Sequence, residues 1–156
     1  MSGLDHSAMP LNIFTIATKP SHHLDRLLTS AEAFGIQVDV QGKGRPFLGM
    51  GTKRNLMHEY VSACDPDQLV MYVDAYDVIF LANVTEMVSV YERYYKGEVV
   101  FGAEQNLGMY TVDDIMYYVK YPIRSQRYKY LNAGTVMGPA GKIKALLDIV
   151  GVGAED

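Results

Sequence analysis

The chain has 156 residues, 49% of them hydrophobic, and Lys+Arg 14 against Asp+Glu 18 sets a formal net charge of −4. A chain of this length buries roughly 70% of its unfolded surface, enough for one domain with a real core, and a charged fraction of 21% with twelve Tyr and five Phe excludes disorder. No run of 18 apolar residues offers a membrane span, the acidic balance lacks the basic stripe of a duplex binder, and a lone Cys64 closes no internal disulfide and anchors no zinc cluster by itself.

The first segment, Met1–Pro10 (MSGLDHSAMP), is small and polar, without the basic-then-apolar pattern of a secretory signal. It reads as a leader or tag remnant outside the fold, and a complete chain beginning this way is expected in the cytoplasm. Residues 11–156 read as one domain.

Leu11–Thr18 (LNIFTIAT) is a short β-branched run of strand length, broken by Lys19-Pro20-Ser21, with Ser21 a fair N-cap. Over His22–Phe34, Leu24, Leu27, Leu28, Ala31 and Phe34 recur at three and four, which predicts an amphipathic helix ended by Gly35. Ile36–Val40 alternates as a second strand. Gly42 to Gly51 holds four Gly and a Pro, and is expected to be a loop. Thr52 opens a helix through about Ala63, stopped by Asp65-Pro66-Asp67. The continuous apolar run Leu69–Val73 (LVMYV) predicts a strand buried on both faces. After DAYDVIFL, the residues Val84, Met87, Val88 and Tyr91 mark a third helix, which Gly97 stops. Glu98–Gly102 is a further strand, Val112–Val119 a short helix, Leu131–Gly138 a strand and Ala140–Val150 a last helix.

Strands alternating with helices imply βαβ units, right-handed crossovers and a mostly parallel sheet covered on both faces. No repeat, low-complexity segment or linker interrupts it. Ligands of such sheets bind beyond the carboxyl ends of the strands. That directs attention to Thr15–Thr18, Asp74–Asp77, Gly102–Glu104 and Asn132–Thr135.

Asp74-Ala75-Tyr76-Asp77 carries the strongest chemical signal. Two carboxylates leaving a buried strand together are costly unless paired, and a hard divalent cation such as Mg²⁺ or Mn²⁺ would pair them and bridge a diphosphate. The open alternative is that Asp74 caps a turn while Asp77 is solvated. Gly49–Lys53 (GMGTK) offers backbone N–H groups and a cation to phosphate, although the P-loop spacing is absent and a plain helix entry is the commoner origin of such a turn. Leu131–Thr135 (LNAGT) places an amide, Asn132, beside Gly134, which permits close backbone approach. Asn132 could bind sugar hydroxyls, or the segment could simply start a strand.

Bland readings compete elsewhere. His22-His23 reads as a solvated pair, His58 as surface or packing, and Cys64 as a packing residue without a His to activate it. Tyr117, Tyr118, Tyr121, Tyr128 and Tyr130, interleaved with Lys120, Arg124, Arg127 and Lys129, would stack on a base or line a loop. Asn83-Val84-Thr85 is both a glycosylation sequon and a helix N-cap.

The order TIAT, GTK, YVDAYDVIF, VVFGAE, YP and YKYLNAGTVMG resembles the glycosyltransferase domain of the procollagen lysyl hydroxylases and the wider collagen-type glycosyltransferases. The likeness runs from about Leu11 to Val150, and its most specific blocks are VDAYDVIF and YLNAGTVMG. It implies an α/β GT-A fold, a Rossmann-type three-layer arrangement truncated at its C-terminus, a UDP-glucose or UDP-galactose donor, and Mn²⁺, with Mg²⁺ as a substitute. Carried over by position, Asp74 and Asp77 bind the metal. Thr15 and Thr18 lie by the uracil and ribose, Lys53 approaches the donor, Tyr76 flanks the nucleotide, and Asn132 and Gly134 line the sugar side. The chain has no Trp, and Asn106–Thr111 stands where the family places one. Glu155-Asp156 ends the chain where the family continues into an aspartate-rich loop and a later His ligand. A fragment of such a protein would reside in the endoplasmic-reticulum lumen.

The expected function is metal-dependent transfer of glucose or galactose from a UDP-sugar to an acceptor hydroxyl, by resemblance a hydroxylysine or galactosyl-hydroxylysine of a collagen-like chain. No catalytic base is identifiable. The alternative from another class is a truncated nucleotide-sugar-binding or interaction module without chemistry. A third, a Tyr/Lys-rich single-strand binder, runs against the acidic balance.

Overall fold

The computed structural model describes residues 10–105, 127, 128 and 130–151. In chain order these form β1 (Leu11–Ile16), α1 (His22–Ala33), β2 (Val38–Gln41), α2 (Met50–Ala63), β3 (Leu69–Val73), α3 (Val84–Tyr94), β4 (Val100–Glu104), β5 (Tyr130–Pro139) and α4 (Ala140–Val150). The helix expected over Val112–Val119 lies outside the described residues, as do Met1–Met9.

The five strands form one sheet in the order β2-β1-β3-β5-β4. β1 pairs in parallel with β2 and β3, whereas β5 is antiparallel to both β3 and β4. Four strands therefore point one way and β5 alone is reversed. It enters beside the carboxyl ends of its neighbours, so the segment LNAGT starts a strand at the ligand-binding edge of the sheet. β1 leads to β2 on one flank and the chain then returns past β1 to β3. That reversal opens a crevice between the ends of β1 and β3.

Side chains alternate across the sheet as a strand period of two requires. Phe14, Ile16, Val70, Tyr72 and Val136 pack under α2 and α4 with Leu56, Met57, Val61 and Ile143. On the other face Ile13, Ala17 and Val73 meet Leu24, Leu27 and Ala31 of α1, and Leu69 and Met137 meet Val88 and Tyr91 of α3. Two helical layers around one sheet make this a Rossmann-like α/β domain of the GT-A type. Among the described residues no helix is long and apolar enough to cross a membrane.

Local chemistry sets the helix ends. Ser21 accepts from the His23 N–H at 3.2 Å. α2 starts two residues before the expected Thr52 because Gly49, at φ 143°, serves as N-cap, and the Thr52 hydroxyl reaches back to accept from the Leu48 N–H at 3.0 Å. Asn83 caps α3 by accepting from the Glu86 N–H at 2.9 Å. Asn83→Ala is expected to cost about 1 kcal/mol, read as a shifted urea midpoint with an unchanged slope.

β2 and β4 each begin two residues later than their apolar patterns suggest, since Ile36 is buried before its strand starts and Glu98 joins the turn after α3. At the far end of the sheet, the Ala140 and Gly141 N–H groups donate to Gln68 and Pro66 carbonyls, each at 2.9 Å, and seat α4 against the start of β3. Asp148 of α4 accepts from Lys144 at 2.7 Å and lies 2.8 Å from His58 of α2, contacts that hold its carboxyl below the ordinary range.

Candidate functional site

A cavity of about 470 Å³ occupies the crevice at the ends of β1 and β3. Thr18 and Lys19 line it from the end of β1, Phe47, Met50 and Lys53 from the entry to α2, and Tyr72, Asp74, Tyr76 and Asp77 from the end of β3. The Gly-rich segment shapes one wall. The Gly44 N–H donates to the Thr18 carbonyl at 3.2 Å. A Cβ on Gly42, at φ +82°, would stand 2.9 Å from Leu56 Cδ1, so only glycine turns the chain there.

Asp74 is the electrostatic centre. Its Oδ1 accepts from Lys53 Nζ at 2.5 Å, and both side chains are largely covered, at 16% and 30% exposure for Lys53 and Asp74. The Tyr72 hydroxyl donates to the same oxygen, and the Lys53 ammonium also sits 4.9 Å from the centroid of the Tyr72 ring. Tyr72 is fully buried. Burial first, then its bond to Asp74 and the charges of Asp74 and Asp77, push the phenol far above its ordinary pKa, so it remains a protonated donor. Asp77 and Tyr76 stand in the turn after β3 and are exposed.

β5 supplies the opposite wall of the Asp74 carboxylate. Its register against β4 jumps from Phe101↔Val136 to Gly102↔Asn132, so Ala133, Gly134 and Thr135 bulge away from β4 while Thr135 stays paired with Val73 of β3. The Asp74 N–H donates to the Gly134 carbonyl at 2.7 Å. Asn132 Oδ1 accepts from the Gly134 N–H at 2.5 Å, and its Nδ2 donates to Glu104. Counting partners among the described residues, one amide N–H and one lone pair of Asn132 remain.

Of the expected site residues, the crevice brings Thr18, Lys53, Asp74, Tyr76 and Asp77 to one cavity, with Asn132 and Gly134 adjoining Asp74. Thr15 stands apart. It is fully buried, and its Oγ1 donates to the Val73 carbonyl at 2.7 Å, closing the seam between β1 and β3 behind the cavity. A side chain so placed supports the crevice and does not touch a donor. Among the described residues the Asp74 carboxylate is engaged by Lys53 and Tyr72 and not by turn amides, against the turn reading, while Asp77 is exposed as the solvated reading has it. Sequence reasoning missed Tyr72, since a Tyr inside LVMYV looks like core. Its parity with Asp74, two residues on and on the same face, was the available signal.

The bland candidates stay structural. His22 and His23 meet at a tilt, ring centroids 3.9 Å apart, on the exposed start of α1. Burial and the nearby Asp39 charge raise the Cys64 thiol, which donates to the Tyr60 carbonyl at 3.4 Å. Tyr130 is buried and leaves the aromatic series; Tyr128 is exposed, with Arg127 5.9 Å from its ring centroid. Tyr117, Tyr118, Lys120, Tyr121, Arg124 and Lys129 lie outside the described residues, as do Asn106–Thr111 and Glu155-Asp156.

The two carboxylates present hard oxygen ligands to one cavity, and the ammonium of Lys53 already holds a cation position on Asp74, so the donor set fits part of a divalent cation's shell. Among the described residues no group of three His, Cys, Asp or Glu side chains could hold a metal ion.

Comparison with known proteins agrees with this architecture. The family model for the PLOD GT domain matches residues 7–156. The chain is 31% identical to the multifunctional procollagen lysine hydroxylase and glycosyltransferase of Caenorhabditis elegans over 94% of its own length and 21% of that protein's. It is 28% identical to the procollagen-lysine,2-oxoglutarate 5-dioxygenase of Drosophila melanogaster, covering 88% of this chain and 20% of the relative. With human procollagen-lysine,2-oxoglutarate 5-dioxygenase 2 it shares 30% identity, over 88% of this chain and 19% of the relative. The chain thus spans about a fifth of the length of these relatives. By the match of its whole folded portion, the chain belongs to the glycosyltransferase-domain family of the procollagen lysyl hydroxylases.

Proposed function

We propose that this domain binds a UDP-hexose, UDP-glucose or UDP-galactose, together with Mn²⁺ or Mg²⁺, and transfers the hexose to an acceptor hydroxyl. By family the acceptor is hydroxylysine or galactosyl-hydroxylysine of a collagen-like chain. The observation that carries the reading is the meeting of Asp74, Asp77 and Lys53 in one crevice at the carboxyl ends of β1 and β3.

In the transfer, the bond between the anomeric carbon and the β-phosphate oxygen breaks, a bond from that carbon to the acceptor oxygen forms, UDP leaves with the electron pair, and the acceptor's hydroxyl proton passes to the departing diphosphate or to water. Asp74 and Asp77 would hold the cation. When bound, it neutralises the charge that develops on the departing diphosphate. Lys53, rooted in the first turn of α2, adds positive charge on the same side. Tyr76 presents an exposed ring to the uracil, and Thr18 a hydroxyl to the ribose. Tyr72 and the Gly134 bulge keep the Asp74 carboxylate in place while charge moves.

Calorimetry with UDP tests the site. Wild type is expected to bind UDP with Mn²⁺ and much less without it. Asp77→Ala, which removes an exposed side chain from the site, should lose about tenfold or more of the Mn²⁺-dependent affinity with its melting temperature unchanged. Identical heats for the two proteins would refute the metal assignment. Release of hexose from UDP-hexose above background, with water as acceptor, separates a transferase from a module that only binds.

A further inference from the structure

We propose that Lys53 is the site's resident counter-cation: its ammonium occupies Asp74 in the ligand-free protein and transfers to the diphosphate when a divalent cation takes the carboxylate. This rests on the donor-binding reading above.

The argument starts from one oxygen. Asp74 Oδ1 accepts from Lys53 Nζ at 2.5 Å and from the Tyr72 hydroxyl. Two donors fill its two lone-pair directions, and a divalent cation on that oxygen, or beside it on Oδ2, would stand close enough to the ammonium to repel it. The donor that carries the charge is the one displaced. Tyr72 cannot leave, because it is buried on β3 and its ring packs against Phe14 at 5.4 Å between centroids. Lys53 can, because its charge sits on a flexible four-carbon stem that lines the same cavity as Asp77. The face of the Tyr72 ring, 4.9 Å from the ammonium, keeps the cation near the site while it moves. Tyr72 meanwhile retains its bond to Asp74 and preserves the orientation of the carboxylate.

The exchange has a thermodynamic consequence. A metal ion arriving alone and taking Asp74 and Asp77 must evict Lys53 with no further carboxylate among the described residues lining the cavity to receive it. A metal ion arriving with a diphosphate gives the ammonium a new partner. Metal and nucleotide therefore bind cooperatively, and the coupling passes through Lys53. Removing the charge should change the two affinities in opposite directions, which a residue that only contacts phosphate, or only supports the fold, would not do.

Titrating Mn²⁺ and counting the free ion by electron paramagnetic resonance, with and without UDP, tests the exchange. Wild type is expected to bind Mn²⁺ weakly alone and about tenfold more tightly with UDP. Lys53→Met should bind Mn²⁺ alone several-fold more tightly than wild type, bind UDP more weakly, and show most of the coupling gone. Lys53→Gln, which keeps a hydrogen-bonding end but no charge, should behave likewise and covers the case in which the methionine variant does not fold. If wild type gains Mn²⁺ affinity from UDP but neither Lys53 variant binds Mn²⁺ alone more tightly, the exchange is refuted and the donor site stands. If wild type with UDP holds no more Mn²⁺ than Asp77→Ala, the donor-site reading fails and the exchange fails with it.

Discussion

Gly134→Ala is expected to lose at least about tenfold of the Mn²⁺-dependent UDP affinity while the domain stays folded. A Cβ at this position would stand 2.7 Å from Asn132 Oδ1 and 2.8 Å from Asp74 Oδ2. Both neighbours are side-chain ends, so the backbone need not move and the stability cost stays near the low end of overpacking, about 1 kcal/mol. The two ends are nevertheless tethered. Asp74 is held by Lys53 and Tyr72, and Asn132 by Glu104 and the Gly134 N–H. Relief of the clash therefore turns the carboxylate away from the cavity or breaks its bonds.

Gly138→Ala supplies the contrast. Its Cβ would meet the Glu98 carbonyl oxygen at 2.9 Å and Val99 Cα at 3.0 Å, both backbone atoms that cannot swing aside. That variant should lose about 2 kcal/mol of stability, with the UDP affinity of the folded fraction kept. Paired thermal melts and calorimetry measure both. Wild-type affinity in a folded Gly134→Ala would refute the close approach as a feature of the site.

Phe14→Ala should be the most destabilising single change in the core beneath α2. Phe14 is fully buried, stacks on Tyr60 with centroids 3.9 Å apart and planes 16° from parallel, and abuts Tyr72. Its truncation is expected to cost about 3–5 kcal/mol, against a total stability of roughly 5–15 kcal/mol for a domain. The melting temperature should fall by about 10 °C or more. The loss reaches the site, because Phe14 braces the ring whose hydroxyl orients Asp74. Phe14→Leu refills most of the volume and should cost less than half as much. A Phe14→Ala melt within about 2 °C of wild type would show that the ring carries little of the core.

The elements that short-range rules govern were legible. Leu69–Val73 is the buried strand its unbroken apolar run predicts, and Ala140–Val150 is helical over its expected span. The spacing of Leu24, Leu27 and Ala31 marked the buried face of α1. Asp74 and Asp77 stood out because carboxylates after a central strand must emerge at its carboxyl end. Errors of two residues at α2, β2 and β4 arose where a backward cap or a buried residue before a strand outweighed local pattern.

Three features of the site lay beyond that reach. The reversed direction of β5 depends on which strands it pairs with, and nothing inside YLNAGTVMG states its partners. The Thr15 hydroxyl looked available at the end of β1, but burial left it needing an acceptor, and the Val73 carbonyl across the seam is the one it found. Lys53 and Asp74 are 21 residues apart, and their ion pair exists because the fold brings the first turn of α2 and the end of β3 to the same cavity.

A length of 156 residues, about half of them hydrophobic, was enough to predict one domain with a core, and the alternation of strand and helix patterns along the chain made that domain α/β. By itself the sequence determined the elements, the family and the carboxylate pair, because periodicity, caps and motif spacing act over a few residues. Only the tertiary structure decided that Asp74 already carries a cation, that Tyr72 holds it in place and that Thr15 faces inward. Those contacts follow from how the whole chain crosses and packs, where burial forces each polar group to find whichever partner the fold brings near.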